Sequence, residues 1–364
     1  MNTAQSPGPP KVLLAVEALQ MIFAPRPSLF RRRNRPVRAV DGVSFTLYEG
    51  ETLGIVGESG CGKSTLARCI LGAYRPNAGR IRFRGRNGAW VDLATLNDKQ
   101  RLAYCTDLRV VFQDPQASLN PRLSIREIVG EVLRLAGTLS KAAIDARVRD
   151  LLTKVGLRPE YARRYPHALS GGERQRVGIA RALAPEPRLV ILDEAVSALD
   201  VSVRAQTLNL LRDLQDEMGL TYLFVSHDLS VVEYICDRVL VMYVGQVVEI
   251  AAVADLFHHP RHPYTEALLS ALPIPDPDRA RHGRRVRLPG DVADPANRPA
   301  GCGFHPRCRF ATERCGHEAP ALRAVGASEV ACHHAEQLAL MGVEHLTAAS
   351  PAGPPPRDDT GIPT

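Results

Sequence analysis

Leu169-Ser170-Gly171-Gly172-Glu173-Arg174-Gln175-Arg176 is the stretch on which the fold turns. Two adjacent glycines leave backbone N–H groups uncovered. Ser170 is a good N-cap for a helix starting at Glu173, and helix N-termini attract anions. A second glycine-rich turn lies far upstream: Gly57-Glu58-Ser59-Gly60-Cys61-Gly62-Lys63-Ser64-Thr65. It has the P-loop spacing and stands between an apolar run, Glu51–Val56, and a helix expected from Lys63 to about Gly72. Two anion-binding turns so far apart in sequence cannot be one loop.

The chemistry around the P-loop follows from residue type. Glycines let the backbone wrap a β-phosphate, Lys63 places positive charge on the β/γ oxygens, and Ser64 offers its hydroxyl to Mg²⁺. Ser59, Gly60, Cys61, Gly62 and Thr65 complete the cradle. Leu189-Val190-Ile191-Leu192-Asp193-Glu194 reads as a buried strand ending in two acids. Asp193 fits a partner for Mg²⁺, and Glu194 fits the group that orients and deprotonates an attacking water.

These motifs together resemble the ATPase subunit of an ABC transporter, in which the Leu169–Arg176 octad is the signature motif. The resemblance covers roughly residues 12–335. It implies that Glu194 is the catalytic base and that Gln113 reaches Mg²⁺ and the water. It implies that Asp200, in Ser197-Ala198-Leu199-Asp200, crosses a dimer interface, and that His227 contacts the γ-phosphate. Phe23 is the implied adenine-stacking residue, with Tyr48 as a weaker choice and Val40 as a further contact. Ser170, Gly171 and Gly172 would close over ATP held by a second cassette. Ala195 departs from the family, which usually has proline there.

A chain of 364 residues with 45% hydrophobic content can fill a sizeable core. Strand–helix alternation from Val12 predicts a mainly parallel sheet covered by helices. The expected class is α/β: a P-loop NTPase core sheet, a helical signature subdomain at about 114–184, and a small Cys-rich C-terminal extension. The expected divisions are a disordered 1–11, an ATPase domain at 12–260, the extension at 261–340 and a disordered tail at 341–364. No run of 18 apolar residues is present, and Met1–Pro10 has no signal-peptide pattern. The net charge is +7, with arginines scattered apart from Arg31–Arg35 and Arg279–Arg287. Both stretches read as solvated loops, and no nucleic-acid partner is expected.

Cys302, Cys308, Cys315 and Cys332 cluster near the C-terminus without the paired C-x-x-C rhythm of zinc ribbons. In a reducing compartment such a cluster more often holds a metal than forms disulfides. The segment Gly301–Cys308, with Cys315 and Cys332-His333, resembles the C-terminal extension of oligopeptide/dipeptide-importer ATPases. His262-Pro263-Tyr264-Thr265 and the stretch Gln113–Arg122 resemble the same group. Some members hold a 4Fe–4S cluster on four such cysteines; zinc is the alternative, and free thiols rank third.

The resemblance implies an ATP-hydrolysing subunit that powers import of oligopeptides or dipeptides, with nickel or another small solute as the alternative cargo. Its implied cofactors are ATP and Mg²⁺. Its implied partners are a second ABC ATPase subunit in a heterodimer, two transmembrane permeases and an extracytoplasmic peptide-binding protein. It would sit on the cytoplasmic face of the membrane as a peripheral subunit. Two ATPases of other classes fit less well. Chromosome and DNA-repair relatives place a heptad coiled coil between P-loop and signature, which is missing here. Translation-associated relatives carry two cassettes, and the sequence shows no internal repeat. A redox module built on the cysteines would not need the complete hydrolysis set.

Overall fold

The computed structural model of the protein describes residues 10–24, 35–114, 118–137, 139–272, 285–291 and 293–344. The expected disordered ends therefore lie largely outside the described residues, as do most of Arg31–Arg35 and Arg279–Arg287 and residues 115–117 of the Gln113–Arg122 stretch.

Two sheets carry the fold. β1 (Val12–Phe23) and β2 (Val37–Tyr48) pair antiparallel, and β3 (Thr52–Val56) leads into helix α1 (Lys63–Leu71). β4 (Ala78–Arg84) and β5 (Trp90–Asp92) complete a four-stranded antiparallel sheet in the order β2-β1-β4-β5. The short α2 (Asp98–Arg101) precedes β6 (Leu108–Val111). Then come α3 (Ile125–Ala136), α4 (Lys141–Lys154) and α5 (Gly171–Leu183), which pack on one another without an intervening strand among the described residues. β7 (Leu189–Asp193), α6 (Val201–Met218), β8 (Thr221–Val225), α7 (Leu229–Ile235), β9 (Arg238–Tyr243) and β10 (Gln246–Ala252) follow. The C-terminal segment adds α8 (Val253–His258), α9 (Pro263–Leu269), α10 (Glu313–His317), β11 (Arg323–Val325) and β12 (Ser328–Val330).

The second sheet has eight strands in the order β11-β12-β10-β9-β3-β8-β7-β6. Its centre is parallel, from β9 through β3, β8 and β7 to β6. The expected mainly parallel sheet is this one, with four of its seven pairings parallel; the separate antiparallel sheet was not foreseen. β1 and β2 are long antiparallel strands whose alternation is broken by register shifts at Val16/Leu19 and Met21/Ile22. Those bulges, one with Ala18 at φ 45°, blur the period-two signal.

Strand alternation divides two cores. On β7, Leu189 and Ile191 join one cluster, while Val190 and Leu192 join the other. On β8, Leu223 and Val225 face the first, and Tyr222 and Phe224 the second. Side chains on a strand point alternately to opposite faces, so both faces of the central strands are buried. α1 fills the first core with Leu66, Ala67, Cys69 and Ile70, between the two sheets. α6 and α7 cover the other face with Leu208, Leu211, Leu214, Val232 and Ile235. Each such aliphatic side chain, fully buried, contributes about 1.5–3 kcal/mol. This register has a functional consequence. Asp193 continues the Leu189–Ile191 face, so its carboxylate arrives on the α1 side of the sheet.

Candidate nucleotide-binding site

β3 ends at Val56 and α1 begins at Lys63, so the Gly57–Gly62 turn lies at the C-terminal edge of the parallel strands, where α/β folds bind ligands. No side chain caps α1, which leaves its first N–H groups to face a ligand. Gly62 adopts φ 108°, and a Cβ there would lie 2.1 Å from the Ala39 carbonyl oxygen. Only glycine fits that close approach. Lys63 is buried, and its Nζ donates to the carbonyl oxygens of Gly57 (2.7 Å) and Glu58 (3.1 Å). The ammonium thus rests on the loop's own oxygens, at the place where phosphate oxygens would receive it. Ser59 and Gly60 are exposed at the loop tip, Cys61 is buried beneath it, and Thr65 is half-buried on α1.

Ser64 Oγ donates to Asp193 Oδ1 at 3.0 Å, joining the P-loop helix to the end of β7. Burial pushes the Asp193 carboxyl above its ordinary pKa, and the Ser64 hydrogen bond opposes that shift. A buried carboxylate and a hydroxyl beside a lysine form an oxygen donor set suited to Mg²⁺. Glu194 turns at φ 50°, its N–H bonded to Val225 O at 3.0 Å. The following turn is held by Ser197, whose N–H and hydroxyl both donate to Glu194 O (3.1 and 2.8 Å). These bonds hold the turn although Ala195 replaces proline. His227 Nδ1 lies 3.4 Å from Glu194 Oε1, so β7 and β8 deliver both side chains to one place.

The signature turn stands on a capping box. Ser170 Oγ accepts from Glu173 N–H, and Glu173 Oε2 accepts from Ser170 N–H at 2.8 Å. The helix begins at Gly171 rather than Glu173, a correction to the sequence expectation. The Ser-x-x-Glu spacing carried that signal. Gly171 has open space at its Cβ position, whereas a Cβ at Gly172 would meet Val203 of α6 at 2.6 Å. Asp200 caps α6 by accepting from Val203 N–H at 3.1 Å. Arg204, one turn on, pairs with Asp228 beside His227 at 3.1 Å.

The adenine-contact expectations fare differently. Phe23 is partly exposed and packs edge-on against Tyr74 at 5.3 Å. Val40 is wholly buried in the core and has no surface for a base. Tyr48 stacks under Arg238 just before β3 begins, at the end of the strands opposite the P-loop. Gln113 is exposed after β6.

The four cysteines do come together: Cys302, Cys308, Cys315 and Cys332 line one small pocket with His305, His333 and His334. Burial raises the Cys308 thiol to about 11 and pushes Cys302 and Cys332 up as well. Metal ligation needs thiolates. Among the described residues no group of three or more His, Cys, Asp or Glu has the arrangement to hold a metal ion. The expected iron–sulfur cluster, and zinc as its alternative, are therefore unsupported at this pocket.

Two residues that touch the P-loop were not foreseen. Tyr264 Oη accepts from Glu58 N–H at 2.9 Å, and Arg307 bonds the Glu58 carboxylate at 2.8 and 3.4 Å. Sequence separations of 206 and 249 residues leave no local signal for either contact.

Strand, P-loop, helix and the paired acids define a cassette ATPase fold, and comparisons with known proteins agree. Residues 40–197 match the family described as ABC transporter, and residues 248–315 match the oligopeptide/dipeptide transporter C-terminal region. The oligopeptide transport ATP-binding protein AppF of Bacillus subtilis is 47% identical over 325 residues, covering 89% of this chain and 97% of that protein. OppF of Salmonella typhimurium, also an oligopeptide transport ATP-binding protein, is 47% identical over 325 residues, covering 88% and 96%. Among solved structures, the dimeric bacterial ABC transporter cassette MJ0796 superposes with a TM-score of 0.58 at 27% identity, covering 66% of this chain and 99% of that one. The chain belongs to the ATP-binding proteins of ABC transporters, in the group that carries the oligopeptide/dipeptide transporter C-terminal region.

Proposed function

We propose that this chain is the ATP-hydrolysing subunit of a peptide importer. The observation that carries the reading is the convergence of Lys63, Ser64, Asp193, Glu194 and His227 at one edge of the sheet, in a chain matched along nearly its whole length by oligopeptide transport ATP-binding proteins. Lys63 and the free N–H groups of α1 bind the β- and γ-phosphates. Ser64 and Asp193 would hold Mg²⁺, which when bound neutralises charge on the phosphate oxygens. Glu194 orients the attacking water and takes its proton, and His227, beside it, faces the γ-phosphate. Gln113 would reach Mg²⁺ and the attacking water and join them to the helical part. Phe23 stays the candidate for stacking on adenine.

One γ-phosphate face stays open to water in a single cassette. Ser170, Gly171 and Gly172 present a helix N-terminus with open space at Gly171, which supports closure over ATP on a second cassette. Asp200 would lie at that interface. The dimeric cassette MJ0796 is in keeping with such pairing. Pairing with a different ATPase subunit, two permeases and an extracytoplasmic peptide-binding protein belong to this reading. So does a peripheral place on the cytoplasmic membrane face; no helix among the described residues is long and apolar enough to cross a membrane. Nickel import is not favoured, because the matched relatives are named for peptides.

Peptide uptake into proteoliposomes that hold this chain with its partner ATPase, permeases and binding protein tests the proposal. Uptake should require ATP and disappear with Lys63→Ala. ATP-driven uptake of nickel in place of peptide would overturn it. The 4Fe–4S cluster at Cys302, Cys308, Cys315 and Cys332 is a separate proposal. Four thiols on one pocket support it, and the lack of metal-holding geometry among the described residues counts against it. Anaerobically prepared protein should carry about four iron and about four sulfide per chain if it holds. Stoichiometric zinc, or neither metal, would reject it.

A further inference from the structure

Glu58 is an acid inside the loop that must cradle a polyphosphate, and the C-terminal segment grips it twice. Arg307, with its side chain 9% exposed, places Nη1 2.8 Å from Glu58 Oε2 and Nη2 3.4 Å from Oε1. Such two-pronged arginine–carboxylate contacts fix geometry as well as charge. Tyr264 is wholly buried, and its hydroxyl accepts the Glu58 main-chain N–H at 2.9 Å. Its ring is wedged between Tyr243 at 4.7 Å and Phe304 at 5.4 Å, so the hydroxyl cannot swing away. The Glu58 carbonyl in turn receives Lys63 Nζ. Side chain, amide and carbonyl of this one residue are all engaged, two of them by the segment after β10.

A simple docking role does not account for the pair. The segment is fastened to β10 elsewhere, by Glu249 accepting from the N–H groups of Arg261 and His262 and by β12, and it is braced within itself by Arg309 on the buried Glu266 carboxylate (2.8 and 2.9 Å). Arg307 instead places its guanidinium on the phosphate loop. An unneutralised carboxylate there would repel the phosphates of an incoming nucleotide, and in a partly buried loop that repulsion is weakly screened.

We propose that Arg307 and Tyr264 are positioning residues for the P-loop. They neutralise and hold Glu58, so that nucleotide affinity depends on the C-terminal segment. The proposal rests on the reading of the P-loop as an ATP site. The test is MgATP binding to the purified full chain by titration calorimetry. Arg307→Gln should weaken binding about tenfold, because the Glu58 charge is left bare. Adding Glu58→Gln to Arg307→Gln should restore affinity to within about threefold of the unaltered chain, which loss of a mere docking contact would not do. Tyr264→Phe keeps the ring and removes only the acceptor of the Glu58 N–H; it should weaken binding about threefold, and it keeps the test valid if Arg307→Gln does not fold. Unchanged affinity in Arg307→Gln overturns the proposal. So does a double variant as weak as the single, or unchanged binding in Tyr264→Phe. If the unaltered chain does not bind MgATP, the ATPase reading falls rather than this one.

Discussion

Glu249 and His262 sit side by side beneath the helix that carries Tyr264, and Glu249→Gln should expose how they balance. Both side chains are buried, and Glu249 accepts from Arg261 N–H at 2.8 Å and His262 N–H at 3.0 Å. Burial raises the Glu249 carboxyl from 4.5 to about 7 and lowers the His262 imidazole from 6.5 to about 3. Between pH 4.5 and 6.5 the folded chain therefore binds one extra proton at Glu249, while the unfolded chain binds one extra at His262. The two effects on stability oppose: Glu249 favours folding at low pH and loses that contribution as pH rises through about 7, whereas His262 favours folding at high pH and loses it as pH falls. The proton difference is near zero, and this pair leaves stability flat across that window. In Glu249→Gln only His262 remains, and stability should rise with pH by about 1.4 kcal/mol per unit between pH 4.5 and 6.5 relative to the unaltered chain. Urea unfolding at intervals from pH 4.5 to 7.5, followed by circular dichroism, reads the slope. A slope difference below about 0.3 kcal/mol per unit would show that Glu249 is not held protonated and would refute the reasoning.

The other expectations concern the phosphate site. Glu194→Gln leaves the backbone bonds of its turn intact, so the protein should fold, bind ATP and accumulate as a closed dimer, with phosphate release slowed about 10²–10⁴-fold; near-normal release would remove Glu194 as base. Gly60→Ala meets only the strain of a left-handed residue, about 1–2 kcal/mol, whereas Gly62→Ala also drives a Cβ into Ala39 O. MgATP affinity and melting temperature should fall further in Gly62→Ala, and equal effects would contradict the geometry. Ser170→Ala removes one half of the capping box and should cost about 1 kcal/mol in urea unfolding, while ATP binding to the isolated chain should stay unchanged, since in the proposed pairing the signature turn serves the partner's site.

What could be read in the residues was local. A strand, a glycine turn and a helix are contiguous, so Lys63 and Ser64 were legible together, and an apolar run ending in Asp193 and Glu194 announced a buried strand with two acids at its mouth. The bond between Ser64 and Asp193 needed only the assumption of a parallel sheet. What stayed hidden depends on distant segments meeting. Nothing near Glu58 announces Arg307 or Tyr264. Val40 looked available to a base because its sequence position is right, yet β2 turns its side chain into the core. β11 and β12 have three residues each, too few to show a period. The cysteines were seen to cluster, but whether four thiols converge closely enough to share an ion depends on backbone turns that spacing does not specify.

The β11–β12 hairpin, which appeared above as an extension of the sheet, also settles how that sheet ends. Without it β10 would be the margin. β10 is a seven-residue strand whose central Val247–Ala251 is buried throughout, and it would present open main-chain groups on one side. Such a margin recruits strands from other molecules and seeds aggregation. The sheet instead closes on three-residue strands, with β11 outermost and Arg323 on it. A chain cut after β10 would keep Lys63, Ser64, Asp193, Glu194 and His227, lose the Tyr264 and Arg307 contacts to Glu58, and leave one side of β10 unpaired.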